Sequence, residues 1–380
     1  MIQSKLPNVG TTIFTRMSAL AAECEALNLS QGFPDFDAPE ALREALTRHV
    51  MAGHNQYAPM AGVLRLREQI SAQLLLHRQV SCDPESEITV VPGATQGIFC
   101  AVMACVRPGD EAILFDPCYD SYQPSVELAG GKAIRVPLVP GQFSLDRERL
   151  EAALSPRSRL IMINSPHNPT GSTLSRDDLA YLEALVEKHE LLVISDEVYE
   201  HLVFDGGEHH SVLQFPALRA RSFVLFSFGK TFSVTGWKTG YCVAPGPLTA
   251  ELRKVHQFVS FVAVTPVQMA LADFMQAQPD YPATLAAFYQ QKRDLFCSAL
   301  RDSRFVYKPS SGTYFQLLDY SAITELPDTA LCEQWTRQHG IASIPISVFY
   351  DQPPQQHYLR FCFAKSDPVL LAAAERLCEI

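Results

Sequence analysis

Apolar positions along this chain change period repeatedly. ITVV (Ile88 to Val91), EAILF (Glu111 to Phe115), KAIRVPL (Lys132 to Leu138), RLIMIN (Arg159 to Asn164), LLVIS (Leu191 to Ser195) and FVLF (Phe223 to Phe226) are short, nearly continuous apolar runs. Such runs suit strands buried on both faces of a parallel sheet. Stretches with helical spacing lie between them, one ending about Val106 and another running from about Ser175 to His189. This alternation predicts right-handed βαβ crossovers and an α/β fold with helices on both sides of the sheet. From about Asp280 the pattern changes to a long helix, FVYKPSSGTYFQLLDY, a helix near Asp328 to His339, and HYLRFCFA. In the last, Tyr358, Arg360 and Cys362 alternate with Leu359, Phe361 and Phe363, the period of a half-buried strand in a smaller α+β unit.

A chain of 380 residues has room for a large domain plus a smaller one. Hydrophobic residues make up 47% and charged residues 19%, which excludes a disordered chain. The net charge of -10, without a basic tract, argues against nucleic acid and anionic membrane as partners. No apolar run has the length of a membrane span, and MIQSKLPNVGTTIF lacks the charged-then-apolar order of a signal peptide. The ten cysteines are scattered, with no CxxC pair, which predicts a reducing cytoplasm. The only histidine pair, His209-His210, follows Gly-Gly-Glu without metal-ligand spacing. It reads as a solvated loop, and no metal site is expected.

Polar chemistry gathers at the carboxyl ends of the predicted strands, where open parallel sheets bind ligands. PGATQG follows ITVV, DPCYD follows EAILF, SPHNPTG follows RLIMIN, DEVYE follows LLVIS, and SFGK follows FVLF. Five loops thus point to one rim and imply one site. Taken singly each has a plain reading: Asp196 as a helix N-cap, Asn168-Pro169 as a turn, Arg360 as a paired strand residue. SFGKT also looks like the end of a phosphate-binding P-loop, but the pattern needs glycine where Val224 stands.

In their order, GATQG, DPxYDSY, SPHNPTG, SDEVYE, SFGKTFSVTGWKTGY and LRFCFA resemble the motifs of class I pyridoxal-phosphate aminotransferases, as do QGFPDF and NQYAPMAG nearer the start. The likeness spans Gln31 to Ala364 and is greatest to the kynurenine aminotransferase and glutamine transaminase branch, with its bacterial methionine-acting members nearest. It implies a fold type I enzyme. A large domain over 40–278 would carry the mostly parallel sheet between helices, and 1–39 with 279–380 would form a small α+β domain.

The resemblance also assigns roles. Lys230 would hold pyridoxal phosphate covalently and, once released, move the substrate Cα proton to the cofactor's C4′ carbon. Asp196 would keep the pyridine nitrogen protonated, Tyr199 and Asn168 would reach the phenolic oxygen, and Tyr119 would stack on the ring. The phosphate would take the backbone N–H groups of Ala94 and Thr95, the Ser227 hydroxyl and the Lys238 charge. Tyr57 would reach the phosphate of a neighbouring subunit, making an obligate homodimer with shared sites. Arg360 would clamp the substrate α-carboxylate, with Gly32 allowing close backbone approach and Asn168 alongside.

Aspartate-type relatives use a further arginine for a distal carboxylate. The matching stretch here, Val255 to Gln268, contains His256 but no arginine or lysine. With Ile13, Phe14, Tyr57, Tyr119 and Phe261 as expected lining, the pocket suits methionine, phenylalanine, tyrosine, leucine or glutamine, and Arg16 is the reserve cation if acidic donors are accepted. The same chemistry leaves β-elimination from cysteine S-conjugates as an alternative. An effector-sensing regulator built on this fold fits poorly, because only about thirty residues precede QGFPDF and the chain is acidic.

Overall fold

The computed structural model describes residues 2–380. A two-residue strand β1 (Leu27–Asn28) is followed by β2 (Ile88–Val91), β3 (Glu111–Asp116), β4 (Lys132–Pro137), β5 (Ser158–Asn164), β6 (Leu192–Asp196), β7 (Ser222–Ser227) and β8 (Gly240–Val243). The C-terminal part adds β9 (Phe315–Asp319), β10 (Ile341–Ala342), β11 (Ile344–Pro345) and β12 (Tyr358–Cys362). The central sheet has seven strands in the order β2-β8-β7-β6-β5-β3-β4. All neighbours are parallel except at β8, which runs antiparallel to both β2 and β7.

Both faces of this sheet are covered. Ile113, Phe115, Ile161, Ile163, Val224 and Phe226 pack into one core layer, and their chain neighbours Ala112, Leu114, Leu160, Met162, Phe223 and Leu225 into another. The period-two geometry of a strand sends successive side chains to opposite faces, so continuous apolar runs are what two covered faces require. A third core joins Met17, Leu20 and Leu29 near the start to Phe296, Trp335, Phe361 and Leu370 near the end. The N-terminal segment is fastened there by parallel pairing of β1 with β10. Helix ends follow local chemistry: Ser175 and Asp178 form a reciprocal capping box at the helix Arg176–Lys188.

Three expectations need correction. β8 was not legible, because GYCV begins with glycine straight after a glycine-rich stretch and lacks the continuous β-branched run of the equally short ITVV. β12 is buried on both faces, with only Tyr358 half-buried, since its Arg360 face closes against the large sheet's rim while Leu359 and Phe361 enter the third core. His209 is not in a solvated loop. It is buried, and its Nε2 lies 2.9 Å from Glu197 Oε2, tying the 206–211 loop to the end of β6.

Candidate active site

The rim described above closes over a cleft of about 310 Å³. Its walls include Ala94 and Thr95 after β2, Tyr119 after β3, Asn168 after β5, Asp196 and Tyr199 at and after β6, and Ser227, Lys230 and Lys238 after β7. The small unit contributes Phe14, Gly32, Phe315 and Arg360. All five strand-end loops therefore meet, and the second structural unit forms the opposite wall.

Lys230 follows β7 on a single helical turn, Phe228–Thr231. Its Nζ donates to Tyr314 Oη at 2.8 Å and to the Gly32 carbonyl at 3.1 Å. Burial is the main cause that brings its pKa down to about 8, with Lys238 and Arg360 pushing the same way. Asp196 ends β6. Burial pushes its carboxyl up to about 6, although Tyr122 Oη donates to Oδ2 at 2.6 Å and the Val198 N–H reaches Oδ1 at 3.3 Å. A buried carboxylate held in this way still lacks a cationic partner in contact, so a protonated ring nitrogen suits it.

The end of the cleft nearest β2 has the chemistry of an anion cradle. The helix Ala94–Cys105 begins at Gly93, whose φ of +80° only glycine adopts freely, and no side chain caps its first N–H groups. A Cβ on Gly93 would lie 3.3 Å from Lys238 Nζ, so the ammonium sits over this helix start. Gly240 is closer still: a Cβ there would meet the Phe226 carbonyl at 2.4 Å and the Ala94 nitrogen at 3.2 Å. Uncapped N–H groups, a fixed cation and the half-buried Ser227 form a receptor for a phosphate. Together with Asp196, Tyr119 and Lys230, the residues present fit pyridoxal phosphate.

Arg360 is 1% exposed. Nη1 donates to Asn168 Oδ1 at 2.7 Å and Nη2 to the Ser30 carbonyl at 2.9 Å, while Nε is buried without a partner. The guanidinium lies 3.9 Å from the Phe315 ring centroid and 5.2 Å from that of Phe14. Its unused donor suits a carboxylate ligand. Because the Asn168 oxygen is taken by Arg360, its amide NH₂ is left to face the cleft.

The expected residues are not all here. Ile13 packs against the third core and is absent from the cleft wall. Phe14 packs on the same core, but the step of about 100° between adjacent helical residues turns it toward the cleft as well. Tyr57 is 84% exposed and stacks edge-on with Phe261, away from this chain's cleft. Arg16 is committed to an exposed ion pair with Glu333. Conversely, Tyr122, Asn164, Tyr314 and Phe315 went unrecognised as site residues. Asn164 accepts from the Asn168 N–H and donates to the Asp196 carbonyl, both at 2.8 Å, bracing two loops. Tyr122 had a signal, the second tyrosine of DPCYDSY; Tyr314 and Phe315 stood in GTYF, read only as strand.

The chain matches the model for aminotransferases of class I and II over residues 25–377, and it belongs to that family. It is an amino-acid aminotransferase dependent on pyridoxal phosphate. Over its whole length it is 51% identical to a methionine aminotransferase of Escherichia coli, covering 98% of that protein. A solved Escherichia coli structure, from work that identified a methionine aminotransferase function, superposes with a TM-score of 0.98 at 50% identity and full coverage of both chains. The chain is also similar to an N-succinyldiaminopimelate aminotransferase of Mycobacterium tuberculosis, with a TM-score of 0.96, 40% identity and full coverage of both chains. A kynurenine–oxoglutarate transaminase of Dictyostelium discoideum is 33% identical, with 98% of this chain and 94% of the relative covered.

Proposed function

We propose that the enzyme moves the amino group of a large neutral amino acid, methionine or an aromatic residue foremost, to a 2-oxo acid. The observation that carries this is the disposition of charge. The cleft wall holds three cations, and each has a use: Lys230 as the reacting amine, Lys238 at the phosphate cradle and Arg360 for the α-carboxylate. None is left for a distal carboxylate, and Phe14, Tyr119 and Phe315 give the remaining wall an aromatic character. The 51% identity to a methionine aminotransferase supports the same choice.

Bound pyridoxal phosphate supplies an electron sink for the substrate Cα–H bond. Asp196 holds a proton at the pyridine nitrogen. Ala94, Thr95, Ser227 and Lys238 would hold the cofactor's phosphate, Tyr199 and Asn168 would meet its phenolic oxygen, and Tyr119 would stack on its ring. Arg360 and Asn168 orient the substrate so that its Cα proton comes within reach of the Lys230 amine. That amine takes the proton when neutral, which its pKa of about 8 allows near physiological pH.

Tyr57, Phe258, Phe261 and Val264 form an exposed apolar surface, with Phe258 85% exposed. This supports a homodimer in which Tyr57 reaches the partner's phosphate site. We divide the chain into a unit of 40–278 and a unit of 1–39 with 279–380; the third core, which joins the two chain ends, supports this, and Tyr199, Leu202 and Phe204 of the large unit also enter it. Eight of the ten cysteines are buried and free, which supports a cytoplasmic home; no helix among the described residues is long and apolar enough to cross a membrane.

The test is a donor panel at saturating 2-oxo acid, with methionine, phenylalanine, leucine, glutamine, aspartate and N-succinyldiaminopimelate. Desolvating an unpaired carboxylate costs several kcal/mol, so methionine is expected to exceed aspartate in kcat/KM by about a thousandfold. Aspartate ranking with methionine would overturn the neutral-donor reading.

A further inference from the structure

Tyr314 is fully buried and the amine of Lys230 rests on it. Its hydroxyl accepts from Lys230 Nζ and itself donates to the Gly32 carbonyl, which is the second acceptor of the same amine. Three groups thus close a triangle: ammonium, phenol and carbonyl. Tyr199, which lines the cleft, packs edge-on against the Tyr314 ring with centroids 5.1 Å apart.

The backbone holds Tyr314 firmly in this place. Gly312 N–H donates to the Gly171 carbonyl at 2.8 Å, and Thr313 N–H to the Leu202 carbonyl at 3.0 Å. Thr313 itself has a φ of +65°, an uncommon conformation for a β-branched residue. Phe363 N–H closes on the Tyr314 carbonyl at 2.9 Å. Residue 314 is therefore fixed by contacts to the loops after β5 and β6 and to the end of β12. Gly32 admits no side chain, since a Cβ there would meet the Phe315 ring at 2.8 Å.

We infer that Tyr314, with the Gly32 carbonyl, is the positioning residue for the released Lys230 amine, fixing where it rests between covalent engagements. This rests on the reading of Lys230 as the reacting amine. The physical consequence has a sign. Both partners act as acceptors toward Nζ, so both favour the charged amine over the neutral one. They oppose the burial and the nearby Lys238 and Arg360, which favour the neutral form; the Asp196 carboxylate favours the charged form, while the Cys362 thiol, kept protonated by burial, adds no charge. Tyr314 thereby keeps the amine from being trapped neutral in a fixed low-dielectric pocket and leaves its protonation close to the working pH.

The experiment is Tyr314→Phe in the full-length chain. Cofactor-free protein is labelled with limiting acetic anhydride across pH 6–10, and modification of Lys230 is followed by peptide mass spectrometry. Loss of one acceptor is expected to lower the Lys230 midpoint by about one unit, a tenfold change in its ionisation constant. In the loaded enzyme kcat with methionine is expected to fall about tenfold despite the larger neutral fraction, because the amine is no longer held in one place, with KM within about threefold. A folded variant whose midpoint stays at the wild-type value overturns the inference, whatever its activity. If the phenylalanine variant does not fold, 3-fluorotyrosine installed at 314 keeps the shape and weakens the acceptor. The midpoint should then drop by a few tenths of a unit, and an unmoved midpoint again overturns the role. Because labelling needs neither cofactor nor donor, a shifted midpoint stands even if the donor panel overturns the neutral-donor reading.

Discussion

Burial acts on Lys230 and Asp196 in opposite senses, and the difference is the chemistry. It disfavours charge on both, bringing the lysine down to about 8 and the aspartate up to about 6. Lys230 reacts only when neutral. Below about pH 8 the neutral fraction falls close to tenfold per unit, and above it the fraction saturates. The rate at which cofactor-free enzyme captures pyridoxal phosphate covalently should therefore rise from pH 6 to about pH 8 and level off beyond. Stopped-flow absorbance with the phosphate in excess measures it; a profile that kept rising to pH 10 would mean that Lys230 retains an ordinary lysine pKa. Arg360 shows a third response to burial: its pKa is lowered by desolvation, but a guanidinium stays charged. It therefore serves as a permanent cation where a lysine would not.

At the scale of elements, the site depends on two strand ends brought close together. β7 and β8 are antiparallel, with Ser227 opposite Gly240, and the helix starting at Ala94 abuts both. There is no room for a side chain at that crossing. Gly240→Ala places a methyl group 2.4 Å from the Phe226 carbonyl, so backbone must move. The expected result is a stability loss of about 1–3 kcal/mol and at least about tenfold weaker cofactor binding, because the same methyl crowds the Ala94 N–H of the cradle, 3.2 Å away. Urea unfolding and equilibrium dialysis of pyridoxal phosphate measure the two. A loss of stability with unchanged cofactor affinity would show that the crossing supports the sheet alone.

For the whole molecule, the exposed Tyr57 points to a site completed between two copies. If so, Tyr57→Phe should weaken cofactor binding about tenfold, the loss of one hydrogen bond to a charged group. Refolding it together with Lys230→Ala should restore one site of wild-type affinity in each mixed dimer. That site takes its lysine from one subunit and its tyrosine from the other. Titration of the covalent absorbance band reads this directly, and mixtures that merely average the two parent proteins would remove Tyr57 from the site.

The apolar periods already determined six of the seven central strands, because two covered faces demand continuous apolar runs and those runs are local. The strand-end motifs likewise placed Lys230, Asp196 and Asn168 on one rim, since every parallel strand delivers its carboxyl end to the same edge; Lys238 came from the family resemblance. What the sequence could not decide depends on contacts between distant segments. Strand β8 opens with glycine and has no continuous β-branched run, and its antiparallel place comes from pairing with β2 and β7. Ile13 and Phe14 are equally apolar and both pack on the third core; only the helix's orientation turns Phe14 toward the cleft as well. His209 looked solvated because its partner Glu197 stands at the end of another element. Tyr314 carries no local signal of chemistry at all. Its hydroxyl meets Lys230 only because the small unit packs over the rim, across 84 residues of chain.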